Sequence, residues 1–302
     1  MPHATQPLSS VALILSSALG DSLLMMTVAR NLRLNGIAVT VFGQQINNMR
    51  SWFPGIDIEP ELRLDDCAAK LARFDTVIQL HANKPFINLE RLHPKVLILA
   101  HLCSANSTDS MAERLTRFCR DELRLAQVDK GNGITPLPGL QHRHRPLRVA
   151  IHPMASTTDK CWLPSRFISL AIKLRDSGFD PQFVVAPEER EHWTHIERLG
   201  LTLADLGPLD QVAAWLYECG WFIGNDSGIG HLASSLQIPT LSLFMRRGTA
   251  RTWRPGWGVG QVLIGSAFLP TGRLKERYWK YMLSVNKVAD AFDRLRALTA
   301  NA

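Results

Sequence analysis

A chain of 302 residues is long for one hydrophobic core and comfortable for two domains of roughly 150 residues each. With 46% apolar and 20% charged residues it has the balance of a globular protein, and no stretch approaches the roughly 20 apolar residues that cross a bilayer. A net charge of +7 favours a polyanionic partner (nucleic acid, an anionic membrane surface or a phosphorylated substrate) or simply marks a solvated basic surface.

The first residues, Met-Pro-His-Ala-Thr-Gln-Pro, lack a basic region followed by a long apolar run, so they are expected to form a short lead rather than an export signal. Strands are predicted at 11–16, 39–43, 76–80 and 95–100, with a helix at 22–35 that aligns Leu24, Val28 and Leu32 on one face and stops at Gly36. Between the first strand and that helix, Gly20 frees the backbone at a turn and Asp21 stands at or beside the helix start. Asp21 has two readings: an N-cap, or a carboxylate at the C-terminal edge of a parallel sheet, where it can act as a general base. Residues 129–147 have no period and are rich in Pro, Gly and charge, which predicts a linker, with His142, Arg143, His144 and Arg145 solvated in it.

The second half opens like the first. A strand at 148–152 runs into a polar turn with Ser156, Thr157 and Lys160, and a helix at 164–177 begins with Pro164, aligns Phe167, Ala171 and Leu174, and stops at Gly178. Hydroxyls and a lysine in such a turn suit a phosphate, although Lys160 can equally be a surface lysine. Further strands are predicted at 181–186, 221–225, 240–244 and 261–264, and a helical tail over 273–298 places Trp279, Leu283, Val288, Phe292 and Leu295 near helical spacing. Alternating strands and helices in both halves imply parallel sheets covered by helices. The five cysteines, Cys67, Cys103, Cys119, Cys161 and Cys219, are scattered without a C-x-x-C pair, which speaks against a disulfide framework or zinc site and fits a reducing cytosol.

Residues 220–232, Gly-Trp-Phe-Ile-Gly-Asn-Asp-Ser-Gly-Ile-Gly-His-Leu, carry the most information. An apolar strand turns at Asp-Ser-Gly directly into a helix, whose first N–H groups and positive dipole end attract an anion; an ordinary turn capped by Asp226 or Ser227 is the alternative. No G-x-G-x-x-G follows the first strand and no G-K-[ST] occurs, so neither a dinucleotide fingerprint nor a Walker loop is present.

Taken together, Leu-Gly-Asp-Ser-Leu at 19–23, Ser156 to Lys160 with Trp162 and Pro164, and Asn-Asp-Ser-Gly-Ile-Gly-His-Leu-Ala-Ser-Ser-Leu with Ile-Pro-Thr-Leu-Ser-Leu-Phe at 225–244 resemble the ADP-heptose:lipopolysaccharide heptosyltransferase family, glycosyltransferase family 9. The resemblance implies an α/β GT-B fold: two Rossmann-like domains facing across a cleft, an acceptor domain at 1–140 and a donor domain at 141–302 with the helical tail. It implies inverting, metal-independent transfer of a heptose or related sugar from a nucleotide-diphosphate donor, ADP-heptose, to a lipopolysaccharide core or similar glycan, with no cofactor and no nucleic acid partner. By motif position Asp21 matches the catalytic base, with Gly20 in its turn. Ser156, Thr157 and Lys160 match donor-phosphate contacts, Asp226, Ser227, Gly228 and His231 the donor signature, and Glu189 an acid near the ribose, on an alignment shifted by one residue. The expected location is the cytoplasm, with peripheral contact to the anionic inner face of the inner membrane. Repulsion from a pyrophosphate suggests that Asp226 orients its turn or reaches a hydroxyl. After Phe244 the chain departs from the family pattern with Arg246, Arg247, Arg251 and Arg254, which either bind acidic groups of a glycan or form a solvated loop. Two other functions fit the same residues: a relative using a hexose or N-acetylhexosamine donor, and a non-catalytic nucleotide-sugar binding protein.

Overall fold

Short β-rich runs and amphipathic helices alternate throughout the computed structural model, which describes residues 8–104, 107–265 and 278–300. The N-terminal lead and the start of the helical tail expected at 273 lie outside the described residues. The chain divides into two units, one reaching Ser104 and including Met111–Thr135, the other comprising Ala105–Ser110 and Pro136–Ala302.

In the first unit five parallel strands are ordered β3-β2-β1-β4-β5, with β1 Ser10–Ile14, β2 Ala38–Phe42, β3 Asp57–Glu59, β4 Thr76–Gln79 and β5 Val96–Ile98. Val11, Ala12, Leu13 and Ile14 are all buried, as expected of a central strand covered on both faces. Helix α1, Leu19–Leu34, follows β1 and packs on β2 and on α4, Met111–Asp121, a helix that the periodicity did not reveal. The short helices α2, Gln44–Asn47, and α3, Leu64–Leu71, complete the unit. Three-residue β3 carries Asp57 and Glu59, too short and polar a segment to read as a strand from its pattern.

The second unit has six parallel strands ordered β11-β10-β9-β6-β7-β8: β6 Arg145–His152, β7 Asp180–Phe183, β8 Thr202–Leu203, β9 Cys219–Asn225, β10 Thr240–Phe244 and β11 Gly260–Ile264. Counted within the unit this is the 3-2-1-4-5-6 order of a Rossmann sheet, and the first unit shares its 3-2-1-4-5 portion. Helices α5 Pro164–Asp176, α6 Leu209–Glu218, α7 Gly228–Ser235, α8 Arg247–Trp253 and α9 Val285–Ala300 cover it. Trp279, Leu283, Val288, Phe292 and Leu295, the expected tail stripe, are at most 2% exposed and pack with Trp162, Phe167 and Phe183.

Both predicted glycine stops hold. At the end of α1, Gly36 (φ 73°) donates to Arg33 O and Ile37 to Leu32 O; at the end of α5, Gly178 (φ 87°) donates to Arg175 O and Phe179 to Leu174 O. These are paired Schellman bonds, which require a left-handed residue that glycine adopts without strain.

The expected linker shrinks from both ends. Asn31 exchanges two 2.8 Å bonds with the backbone of Asp129, Arg30 binds the Asp129 carboxylate at 2.8 Å, and Asn132 is buried, so this stretch is folded onto α1. Beyond it, Arg143 is not simply solvated: its guanidinium lies 4.9 Å from the centre of the Trp221 ring, and the His142 ring meets Tyr217 at 4.9 Å. Residues from Arg145 onward join β6 through pairing with β9. Side-chain bonds to irregular backbone leave no periodic trace in a sequence, which is why these residues read as linker.

Candidate active site

In an open parallel sheet the loops leaving the C-terminal ends of the two strands where the order reverses diverge, and the space between them is where ligands bind. In the first unit those strands are β1 and β4; in the second they are β6 and β9. Each pair of loops carries charged residues in contact.

In the first unit β1 ends two residues earlier than expected and α1 starts at Leu19, three residues before the predicted start. Gly20 therefore lies inside the first helical turn rather than in a preceding turn, and Asp21 occupies the third helical position. The N-cap is Ala18, with no side-chain cap, so the capping alternative for Asp21 does not describe the structure. The Asp21 carboxylate instead accepts a 2.7 Å bond from His81 Nε2 and a 3.3 Å contact from Ser16 Oγ, both at Oδ2. His81 lies two residues past the end of β4. Its Nδ1 lies 4.0 Å from Cys103 Sγ, and its pKa rises to about 9, first through the Asp21 hydrogen bond and then through Cys103, against burial. The ring is an imidazolium at neutral pH.

In the second unit the turn after β6 exposes Ser156 and Thr157 and ends in a helical turn at Thr158–Lys160. Lys160 Nζ donates to Asp226 Oδ2 at 3.1 Å, joining the two loops across the switch point. Asp226 is thus paired with a lysine, so its carboxylate does not stand in the turn without a counter-charge. Ser227 caps α7, its Oγ accepting from Gly230 N at 3.3 Å, which resolves the choice between Asp226 and Ser227 as cap. Gly228 is the first residue of the helix and, with Asp226 and Ser227, is partly open to solvent, whereas His231 is buried in a T-shaped pair with Trp257, 6.4 Å between centroids. Glu189 is the third residue of the 3-10 helical stretch Pro187–Leu199 that follows β7, where its Oε2 accepts the Ala186 N–H at 3.0 Å; its charge also acts on Cys161, whose thiol pKa is raised mainly by burial. The structure thus brings Lys160 and the start of α7 together, with Ser156 and Thr157 in the same turn. Asp21 belongs to the other unit.

Two residues of this framework were given no role of their own by the sequence analysis. Fully buried Asn225 accepts from Trp162 N at 3.0 Å and donates to Pro153 O at 2.7 Å, tying the loop after β6 to the end of β9. His81 was missed because a histidine one residue beyond a predicted strand has no signature until the strand order places β4 beside β1. The arginines after Phe244 do not form a loop: Arg247 and Arg251 are exposed on α8, and Arg254, just past its end, donates to Thr108 O at 3.1 Å.

Solved structures share this architecture along nearly the whole chain. A glycosyl transferase family 9 protein from Veillonella parvula matches with a TM-score of 0.72 at 18% identity, covering 96% of this chain and 97% of its own. The E. coli ADP-heptose lps heptosyltransferase II matches at 0.70 and 17%, covering 97% and 100%, and the E. coli heptosyltransferase WaaC with ADP at 0.69 and 15%, covering 95% and 99%. These matches show a GT-B fold built on two Rossmann-like parallel sheets. The family model for glycosyltransferase family 9 (heptosyltransferase) matches residues 117–277, just over half of the chain, and the protein belongs to that family. A comparison with curated protein sequences gives no match.

Proposed function

We propose that this glycosyltransferase moves a heptose from ADP-heptose to a lipopolysaccharide core or similar glycan with inversion and without a metal cofactor. The first unit holds the acceptor and the second the donor. Asp21 takes the proton of the acceptor hydroxyl as its oxygen attacks the anomeric carbon; the bond from that carbon to the phosphate oxygen breaks, and ADP leaves with the electron pair. A diphosphate leaving group requires positive potential, which Lys160 and the amide groups starting α7 supply, with Ser156, Thr157, Ser227 and Gly228 contacting its oxygens. Glu189 serves the ribose, and His231 shapes the donor pocket from within the helix. The basic surface holds the enzyme peripherally on an anionic cytoplasmic membrane face; among the described residues no helix is long and apolar enough to cross a membrane.

The observation that carries this reading is the 3.1 Å pairing of Lys160 with Asp226 beside the capped start of α7, at the β6/β9 switch point. It is tested by ADP binding. ADP at 100 times its dissociation constant should stabilise the protein by about 2.7 kcal/mol, and Lys160→Ala should weaken ADP binding by about 1.5–3 kcal/mol, the range for a hydrogen bond to a charged group. Unchanged affinity would remove Lys160 from the donor site. Turnover with UDP- or GDP-sugars but not ADP-heptose would reassign the donor, and a rate lost on adding a chelator would refute metal independence.

A further inference from the structure

We propose that His81 is a positioning residue for Asp21, holding one carboxylate oxygen so that the other receives the acceptor proton. The inference rests on Asp21 being the base and extends that reading to a second residue.

Both side-chain contacts to Asp21, from His81 Nε2 at 2.7 Å and Ser16 Oγ at 3.3 Å, end on Oδ2, and among the described residues none ends on Oδ1. The Asp21 side chain is 22% exposed and that of His81 25%, so both are largely covered and each still reaches solvent. The loop carrying His81 is itself anchored. Gln79, fully buried at the end of β4, donates to His81 O at 2.6 Å and to Phe86 O at 2.8 Å, and accepts from Phe86 N at 3.2 Å. The amide of Gln79 thus fixes the backbone from which the imidazole projects, and Cys103 closes the far side of the ring at 4.0 Å.

A carboxylate on its own rotates among several orientations, and a base contributes only when its oxygen lies within hydrogen-bond reach of the proton it removes. Locking Oδ2 leaves one oxygen for that task. Among the described residues, Asp21, from α1, and Cys103, from the turn after β5, are the titratable groups that act on the ring; the first holds the proton on His81 until about pH 9. The imidazolium therefore donates to Asp21 throughout the neutral range.

The test combines kinetics, measured as ADP release from ADP-heptose with lipopolysaccharide core oligosaccharide, with NMR titration of the imidazole in the full chain. His81→Ala should lower kcat by about 10- to 100-fold with the KM for ADP-heptose little changed, and His81→Gln, whose amide can reproduce the Nε2 bond, should recover most of the loss. The Asp21→Asn/His81→Ala double variant should be no slower than Asp21→Asn alone, because His81 acts through the carboxylate. In the wild-type protein the His81 ring should titrate near 9 and fall toward 6.5 in Asp21→Asn. Should His81→Ala retain full kcat while Asp21→Asn is inactive, the positioning role is wrong and the base stands; an active Asp21→Asn would instead remove the base. Multiplying effects in the double variant, or a wild-type ring titrating near 6.5, would also overturn the proposal. Should His81→Ala not fold, His81→Gln and the titration decide.

Discussion

The two units carry the same device with the charges exchanged. In the first, the acid Asp21 follows the unit's first strand and the cation His81 its fourth; in the second, the cation Lys160 follows the first strand and the acid Asp226 the fourth. The topology brings the two loops together in both cases, and what they carry decides the chemistry. Asp226 is the more buried member of its pair, 12% exposed against 34% for Lys160, so an ammonium is turned toward solvent beside a helix start. In the first unit acid and cation are nearly equally covered, and among the described residues no side chain bonds the second carboxylate oxygen. One arrangement suits an anion and the other suits proton removal.

The sharpest way to break this division is to disable each half in turn. Asp21→Asn should lower kcat by about 10²- to 10⁴-fold, the range for loss of a general base, while leaving ADP affinity as in the parent, whereas Lys160→Ala should act mainly on ADP affinity. If both variants lose affinity and rate alike, the two switch points do not divide the labour. A smaller effect separates the units by pH. His81 keeps its proton to about 9 when folded, so between pH 6.5 and 9 the folded unit binds a proton that the unfolded chain has released. Its contribution is complete below pH 6.5 and is lost as pH rises through 9. His152, at the end of β6, is the reverse: burial pushes its pKa down to about 4, and its Nδ1–H donates to Val184 O at 2.8 Å. The unfolded chain takes up that proton first, so stability falls as pH drops from 6.5 toward 4. A shift of this size in a buried group is on the order of 3 kcal/mol, and less for the partly exposed His81. Amide-exchange protection, corrected for intrinsic rates, should weaken at β1 on the alkaline side and at β6 on the acid side; parallel losses in both strands would contradict the assignment. The smallest change is Ser227→Ala, which removes the α7 cap and should cost about 1 kcal/mol by urea unfolding. A value near zero would mean that water replaces the Ser227 hydroxyl at Gly230 N.

Much of the frame was legible in the residues. Apolar runs marked nine of the strands, Pro164 and the glycines after α1 and α5 marked helix ends, and Asp-Ser-Gly marked the turn into α7, because each signal is local: burial period, fixed φ or a left-handed residue. Short β3 and β8 were invisible because two or three residues carry no period. The start of α1 was misplaced because nothing in Leu-Gly-Asp distinguishes a turn from a first helical turn, and Gly20 argued for the turn. Of the site, Asp21, Lys160, Asp226 and Ser227 were named from their positions beside strands and helices, but not the bonds they make.

By itself the sequence determined that two αβ-alternating halves exist, that each presents polar turns after its first strand, and that in the second a buried strand turns at Asp-Ser-Gly directly into a helix start. These follow from chain-local physics: periodic burial, dihedral preference and unpaired helix amides. Only the tertiary structure decided that His81 meets Asp21 and that Lys160 meets Asp226, residues separated by 60 and 66 positions. Those pairings depend on which strands become neighbours, and strand order is a property of the whole sheet that no single segment encodes.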